Sequence, residues 1–199
     1  MENTRNSALN SKKRLLKICL IALFAALISA GGFISIPLGP VPMVLQNFMV
    51  LLAGMILGPF MGGAAEALHL LAGLLSLPVF AGGTGGIARF AGPTGGFLIG
   101  YLFMAVSAGA ILGRPRAGKK NSLPFLIAAV AAGILALYIP GILWLRFGPT
   151  HLNWTKAVLA GAGAVPFPFV YLAGDIIKGI AAALIAPRLR ALTADHLDG

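Results

Sequence analysis

Apolar segments alternate with short polar or glycine-rich segments along most of the chain. A helix needs about 20 apolar residues to cross a membrane upright. Six apolar segments are predicted to be such helices, and we place them at residues 15–35, 42–58, 62–77, 95–113, 122–144 and 166–187. The pattern therefore predicts an all-α integral membrane protein with six transmembrane helices.

The composition supports this prediction. Of the 199 residues, 58% are hydrophobic and only 10% are charged, whereas about a quarter of the residues of a soluble domain are charged. We expect one transmembrane domain at residues 15–190, between polar tails at 1–14 and 191–199. No segment is left for a separate soluble domain.

The basic residues predict the orientation in the membrane. The formal net charge of +10 comes mainly from three clusters, in residues 5–17, 114–120 and 188–190. Lysine and arginine accumulate in cytoplasmic loops, and an even number of spans returns both termini to the same side. We therefore predict cytoplasmic N- and C-termini in a multi-pass protein of the cell membrane. We do not expect nucleic-acid binding, because no surface is left for a basic groove with stacking aromatic side chains.

Three segments are predicted to lie on the outer side, at residues 36–41, 78–94 and 145–165. Part of the last one, residues 155–166, is apolar but too short to span the membrane. It is predicted to be a short helix that packs back onto the outer face, because irregular backbone survives at membrane depth only when protein buries it or it lines a cavity.

The stretch PVFAGGTGGIARFAGPTGGF at 78–97, which contains the second outer segment, is rich in glycine and carries one arginine, Arg89. Residues 83–88 fit a dinucleotide-binding pattern nominally, but no strand precedes them, so that function is rejected. The chain has no Walker A lysine, and we expect no enzymatic activity. Arg89 could bind a ligand carboxylate, or it could be solvated or contact lipid phosphate.

Two pairs of ionisable residues lie within predicted spans, where such groups are expensive and often functional. Asp175 and Lys178 are three residues apart and share one helical face. They could hold a polar ligand, or they could be a self-neutralising structural pair. Glu66 and His69 have the same spacing and could form a proton relay or half of a metal site. For Glu66 and His69 we favour a structural or partner-facing role.

Small residues repeat every four positions on the first helix, at Ala22, Ala26 and Ala30. Such stripes allow close helix packing in membranes. This one could pack within the bundle or could dock another membrane subunit. The single cysteine, Cys19, has no partner for a disulfide or for a metal site.

Three sequence segments carry a resemblance to a known family. They are LPVFAGGTGGIARFAGPTGGFLIGY at 77–101, VPMVLQNFMVLLAGMILGPFMG at 41–62 and AGDIIKGIAAALIAP at 173–187. Together they resemble BioY, the biotin-specific S component (substrate-binding membrane subunit) of energy-coupling factor (ECF) transporters. The resemblance extends from about residue 18 to about residue 190. It implies an S-component fold whose ordered outer loops close a ligand pocket.

The resemblance also implies a site and partners. In this family the ligand lies at the residues that correspond to Asp175, Lys178 and Arg89, and the Ala22, Ala26 and Ala30 face docks to the membrane coupling subunit. Asp175 suits the ureido N–H groups of biotin, while Lys178 and Arg89 suit its carboxylate or its ureido oxygen. We also predict contacts from Phe80, Phe90, Tyr171, Gly83 and Gln46.

The implied function is high-affinity uptake of biotin in a bacterial membrane, with no cofactor bound by the chain itself. ATP would be hydrolysed only by two ABC-type ATPases that act through the coupling subunit. The alternatives are an S component for another vitamin and a passive channel or structural subunit. The sequence departs from the family at His69, where an aromatic residue is usual, at Ser76, where glycine is common, and by a lengthened approach to Asp175.

Overall fold

The computed structural model describes residues 2–37, 42–116, 118, 121–149 and 169–197. These residues form seven helices, α1 Glu2–Phe33, α2 Gln46–Leu57, α3 Pro59–Leu74, α4 Ala88–Ala91, α5 Gly95–Leu112, α6 Leu123–Phe147 and α7 Phe169–Leu197. Two short strands, β1 Ser35–Ile36 and β2 Met43–Val44, pair in antiparallel register. The prediction of a mainly helical membrane protein is confirmed, and the strand pair is a feature that the apolar pattern did not predict.

Helices α1 and α7 extend beyond the predicted spans. α1 begins at Glu2 instead of near residue 15, and α7 continues to Leu197 instead of ending near residue 187. Hydropathy marks only the apolar part of a helix, whereas the backbone hydrogen bonds continue into polar sequence. Residues of the predicted tails are therefore helical, while the division into tails and transmembrane domain remains a prediction.

Three stretches within the described helices are long and apolar enough to cross a membrane, Leu9–Phe33, Gly95–Leu112 and Leu123–Phe147. α2 is apolar but has only 12 residues. It ends at Gly58, whose positive φ of 81° suits glycine, and Pro59 then begins α3 at its first turn. The helices α2 and α3, which correspond to the predicted second and third spans, are thus separated only by Gly58. α3 begins and ends three residues before the predicted span at 62–77.

The membrane character is visible on the outside of the bundle. On α6 the side chains of Leu135, Ile139 and Leu143 are 60%, 58% and 52% exposed, and they recur every four residues along one face. Exposed apolar surface of this extent marks contact with a membrane or another protein. The opposite face of α6 packs along α5, where Gly96 and Gly100 allow the close approach of Trp144 and Leu137.

The segment at 78–94 folds back onto the bundle, as predicted. Gly82 N–H donates to Gly32 O of α1 at 3.0 Å, and Gly86 N–H donates to Gly73 O of α3 at 2.7 Å. The indole N–H of Trp144 donates to Gly92 O at 3.0 Å. The segment is thereby tied to α1, α3 and α6 and covers one end of the bundle, which we call the loop end. The predicted short helix at 155–166 lies outside the described residues.

Ser76, which precedes this segment, has a φ of 68°. This left-handed conformation is uncommon for residues other than glycine. The glycine that the family resemblance predicts at this position would suit the observed backbone.

At the opposite end of the bundle, the buried guanidinium of Arg190 binds the ends of two other helices. It donates to Met55 O of α2, and to Leu112 O at 3.2 Å and Gly113 O at 3.1 Å at the end of α5. Carbonyl groups at helix C-termini lack partners within their own helix and carry partial negative charge. Arg190 therefore joins α7 to α2 and α5.

We predict that Arg190→Met lowers the stability of the protein by about 3 kcal/mol, because three carbonyl groups lose a charged donor. Thermal unfolding of the detergent-purified protein measures this change. Arg188→Met is the matched control, because Arg188 is exposed on the same helix. Equal stability of both variants would contradict the role of Arg190.

Candidate ligand-binding site

Two adjoining cavities open at the loop end of the bundle. Their volumes are about 30 Å³ and about 40 Å³, well below the several hundred Å³ of a typical small-molecule site, so side chains that line them must move apart to admit a ligand. They share four lining residues, Pro42, Val44, Phe97 and Tyr101. We call them the Asp175 lobe and the Arg89 lobe, each after a charged residue that lines it.

The Asp175 lobe is built on a buried polar cluster. Asp175 accepts hydrogen bonds from Asn47 Nδ2 at 2.6 Å and from the Tyr138 hydroxyl at 2.9 Å, and it forms an ion pair with Lys178 at 2.6 Å. The cluster brings together α2, α6 and α7. Asp175 and Asn47 are 7% and 5% exposed, so their charge and hydrogen bonds act with little screening by water.

Lys178 uses all three of its ammonium hydrogens within the protein. Nζ donates to Val44 O at 2.9 Å and to Asn47 Oδ1 at 2.7 Å, and it contacts Asp175 Oδ1 at 2.6 Å. The pair predicted from its spacing is therefore real and is joined by Asn47. A ligand atom that binds Nζ must replace one of these acceptors.

The Arg89 lobe has an apolar wall and an exposed cation. Phe80 is 2% exposed and lines the lobe, and the ring of Phe90 packs edge-on against it at 5.7 Å. Arg89 lies on α4 and is exposed, and it forms no ion pair with any described residue. Its guanidinium is available to an anionic group at the entrance of this lobe.

Gln46, which also lines the Arg89 lobe, begins a chain of hydrogen bonds across three helices. Its amide Nε2 lies 2.9 Å from His69 Nε2, and His69 Nδ1 lies 3.0 Å from Ser29 Oγ. The Ser29 hydroxyl donates to Ala25 O at 2.8 Å. The chain connects α2 through α3 to α1.

Most of the predicted site residues meet at the two lobes. Asp175, Lys178 and Tyr171 line one lobe, and Arg89, Phe80 and Gln46 line the other. Phe90 and Gly83 do not line either lobe. Phe90 packs against the ring of Phe80. Gly83 lies in the turn that follows Phe80, and its N–H donates a hydrogen bond to Phe80 O at 2.9 Å.

The sequence analysis missed several residues that line these lobes, among them Asn47, Tyr101 and Tyr138. One signal for Asn47 was present, because two adjacent amides, Gln46 and Asn47, begin an otherwise apolar helix. Tyr101 and Tyr138 lie in apolar helices, and nothing in their sequence context separates them from ordinary core residues.

Glu66 does not join His69. Its side chain is completely buried, and neither carboxyl oxygen has a hydrogen-bond partner among the described residues. Glu66 lines neither lobe. The predicted Glu66 and His69 pair is thus divided, with His69 bonded to Gln46 and Ser29 instead.

The alanine stripe of α1 points away from the bundle. Ala22, Ala26 and Ala30 are all exposed, whereas Ala25 and Ile28 on the other side of the same helix are buried. Of the two roles weighed for this stripe, packing within the chain is contradicted for the described residues. An outward face of small side chains is available for another helix.

Comparison with known proteins gives the same family as the sequence motifs. Residues 3–195 match the BioY family. The chain belongs to the BioY family. It is 41% identical to the probable biotin transporter BioY of Pyrococcus horikoshii over 178 residues, which cover 89% of this chain and 98% of that protein. It is 40% identical to the biotin transporter BioY of Thermotoga maritima, over 87% of this chain and 95% of that protein.

A solved structure supports the fold. The chain resembles the crystal structure of the S component for biotin from an ECF-type ABC transporter, with a TM-score of 0.74 and 31% identity over 90% of this chain and 93% of that one. The predicted S-component fold is confirmed. These relatives are transport proteins. Membership of the same family confirms the prediction that this chain is a transport subunit and not an enzyme.

Proposed function

We propose that this chain captures biotin from the outer side of the cell membrane and delivers it inward as the substrate-binding subunit of an ECF-type ABC transporter. The observation that carries this proposal is the pair of joined lobes, which present a buried carboxylate with its amide and hydroxyl partners at one end and an arginine at the other. Biotin has the matching shape, with a polar ureido ring, an apolar middle and a terminal carboxylate.

The ureido ring belongs in the Asp175 lobe. Its two N–H groups need acceptors and its carbonyl needs a donor. Asp175 uses three of about four acceptor positions on its carboxylate, for Asn47, Tyr138 and Lys178. One position is left for a ureido N–H, while the ureido oxygen can replace Val44 O at Lys178. Phe97 and Tyr171 supply apolar cover for the fused rings.

The carboxylate belongs in the Arg89 lobe. Arg89 lines this lobe and has no ion pair with the described residues, whereas Lys178 already faces a carboxylate. Arginine binds carboxylates with two parallel hydrogen bonds. This arrangement assigns the two cations to opposite ends of the ligand.

Arg89→Ala is expected to weaken the binding of biotin about tenfold, because one charge-assisted contact is lost at a partly solvated site. Binding of biotin methyl ester should change little, since the ester carries no negative charge. Isothermal titration of both ligands measures the difference. Arg146→Ala is the control, because Arg146 is also exposed near the loop end but lines neither lobe. Equal losses for biotin and its ester would place the carboxylate elsewhere.

The proposal includes partners and a topology. The chain would cross the membrane six times, with both termini in the cytoplasm. Three of these spans would be supplied by α2, α3 and α7, which length and hydropathy alone do not mark as spans. The exposed Ala22, Ala26 and Ala30 face would dock to the membrane coupling subunit, and two ABC-type ATPases would supply the free energy. A bacterial cell membrane is the proposed location.

The decisive experiment is direct binding of biotin to the detergent-purified protein, with thiamin and riboflavin as competitors. The expected result is saturable binding of biotin that neither thiamin nor riboflavin displaces. A chain that binds another vitamin better, or that binds none of them, would overturn the proposal. Uptake of biotin with and without the ATPase subunits then tests the partners.

A further inference from the structure

The orientation of the Gln46 amide sets the direction of the hydrogen-bond chain from Gln46 to Ser29. The amide nitrogen Nε2 faces His69 Nε2 and can only donate, so His69 carries its hydrogen on Nδ1 and donates it to Ser29 Oγ at 3.0 Å, while the Ser29 hydroxyl donates to Ala25 O at 2.8 Å. A neutral imidazole with its hydrogen on Nδ1 has an acceptor at Nε2. His69 Nε2 therefore accepts from the Gln46 amide at 2.9 Å.

The reverse direction requires three changes together. If the amide were turned over, its oxygen would face His69 Nε2, the imidazole hydrogen would have to move from Nδ1 to Nε2, and the Ser29 hydroxyl would have to turn from Ala25 O to Nδ1. The oxygen Oε1 instead lies beside Gly32, within 2.9 Å of where a Cβ atom would be, and glycine leaves the space for it. Gln46 and His69 are each 1% exposed, so little water is available to compensate a misplaced amide.

We propose that His69, held by Ser29, is a positioning residue that orients the Gln46 amide so that its second N–H serves the anionic end of the ligand in the Arg89 lobe. The inference rests on the proposed function. Gln46 lines this lobe together with Arg89, so a carboxylate there has a charged donor on one side and an amide donor on the other. The specificity of this lobe for an anionic group thus depends on a histidine that does not line it.

A purely structural role for His69 predicts something different. The His69 ring packs edge-on against Phe80, with ring centroids 5.4 Å apart. If packing were its whole contribution, a phenylalanine ring would replace it, and the preference between charged and neutral ligands would not change. His69→Phe retains an aromatic ring and removes both nitrogen atoms, so it separates the two roles.

The test is a double-mutant cycle read with two ligands. Gln46→Leu, His69→Phe and the double variant are purified, and the affinities for biotin and for biotin methyl ester are measured by isothermal titration. We expect either single variant to weaken biotin binding about five- to tenfold and the ester much less. The double variant should be little weaker than either single variant, because both changes remove one shared interaction.

Ser29→Ala is a milder change that leaves the histidine ring in place. It removes the acceptor for Nδ1–H, frees the imidazole to place its hydrogen on either nitrogen, and should weaken biotin binding about two- to fivefold. Ser107→Ala is its matched control, because Ser107 also donates to a carbonyl of its own helix, at 3.2 Å. Ser107 lines neither lobe, so its variant should bind biotin as the unmodified protein does.

Nitrogen-15 NMR of histidine-labelled protein tests the geometry without a ligand. The chain has three histidines, and the signal of His69 is the one missing from the His69→Phe spectrum. A hydrogen on Nδ1 and a bare Nε2 are expected; a hydrogen on Nε2 would overturn the inference. Multiplicative losses in the cycle, or equal losses for biotin and its ester, would overturn it while the proposed function stands. An unmodified chain that binds no biotin would overturn both.

Discussion

Asp175→Asn is expected to weaken biotin binding by about 100-fold or more. The substitution removes the only charge that balances Lys178 among the described residues, and breaking a buried ion pair costs about 3–5 kcal/mol. It also replaces one carboxylate oxygen by an N–H2 group. That oxygen accepts either from Asn47 and Lys178 or from the Tyr138 hydroxyl, so at least one of these hydrogen bonds is lost. Isothermal titration of biotin into the purified variant measures the loss.

Two further variants separate binding from folding. Asp175→Asn/Lys178→Met removes both charges and should fold better than the single variant, because no unpaired charge remains in this cluster. It should still not bind biotin with high affinity, since the acceptor for the ureido group is lost. Thr193→Ala, on the same helix near its other end, is the control that should leave binding unchanged. Affinity retained in Asp175→Asn would remove Asp175 from the ligand site.

Gly54→Ala is expected to destabilise the fold by about 3 kcal/mol or more, with a fall in the unfolding midpoint of about 10 °C. Gly54 of α2 packs directly on the backbone of α5. A Cβ atom at this position would overlap Ala105 O and would lie only 2.9 Å from Ala105 Cα. Because the obstacle is backbone and not a side chain, the two helices would have to separate.

Gly63→Ala is the matched control for this effect. Gly63 is also a helical glycine within the bundle, but its added Cβ would meet only one atom, Val106 Cγ2 at 2.9 Å. A methyl group at the end of a side chain can turn away, so we expect a change of less than about 1.5 kcal/mol. Thermal unfolding in detergent compares the two variants, and similar midpoints would show that the α2 and α5 backbones are not in the close contact described above.

The sequence predicted a structural feature well where a short segment, a residue spacing or a repeat determines that feature. The apolar segments predicted the bounds of the long helix α5 to within one residue and those of α6 to within three. The spacing of Asp175 and Lys178 predicted their contact, which depends only on helix geometry. The four-residue repeat of Ala22, Ala26 and Ala30 predicted a continuous face but could not decide which way it points. Glu66 and His69 show the limit of spacing, since their side chains have different surroundings.

By itself, the sequence determined the membrane class, the main helices, the family and the charged residues of the candidate site, because hydropathy, helical periodicity and contiguous motifs are local properties. The tertiary structure decided which distant residues meet. Asn47 and Tyr138 reach Asp175 across 128 and 37 positions of the chain, and Gln46 reaches Ser29 only through His69. Such contacts depend on how the helices pack, which is set by glycine contacts such as that of Gly54 with Ala105. The sequence therefore predicts which charged residues belong to the candidate site, whereas helix packing determines how the groups around them are oriented.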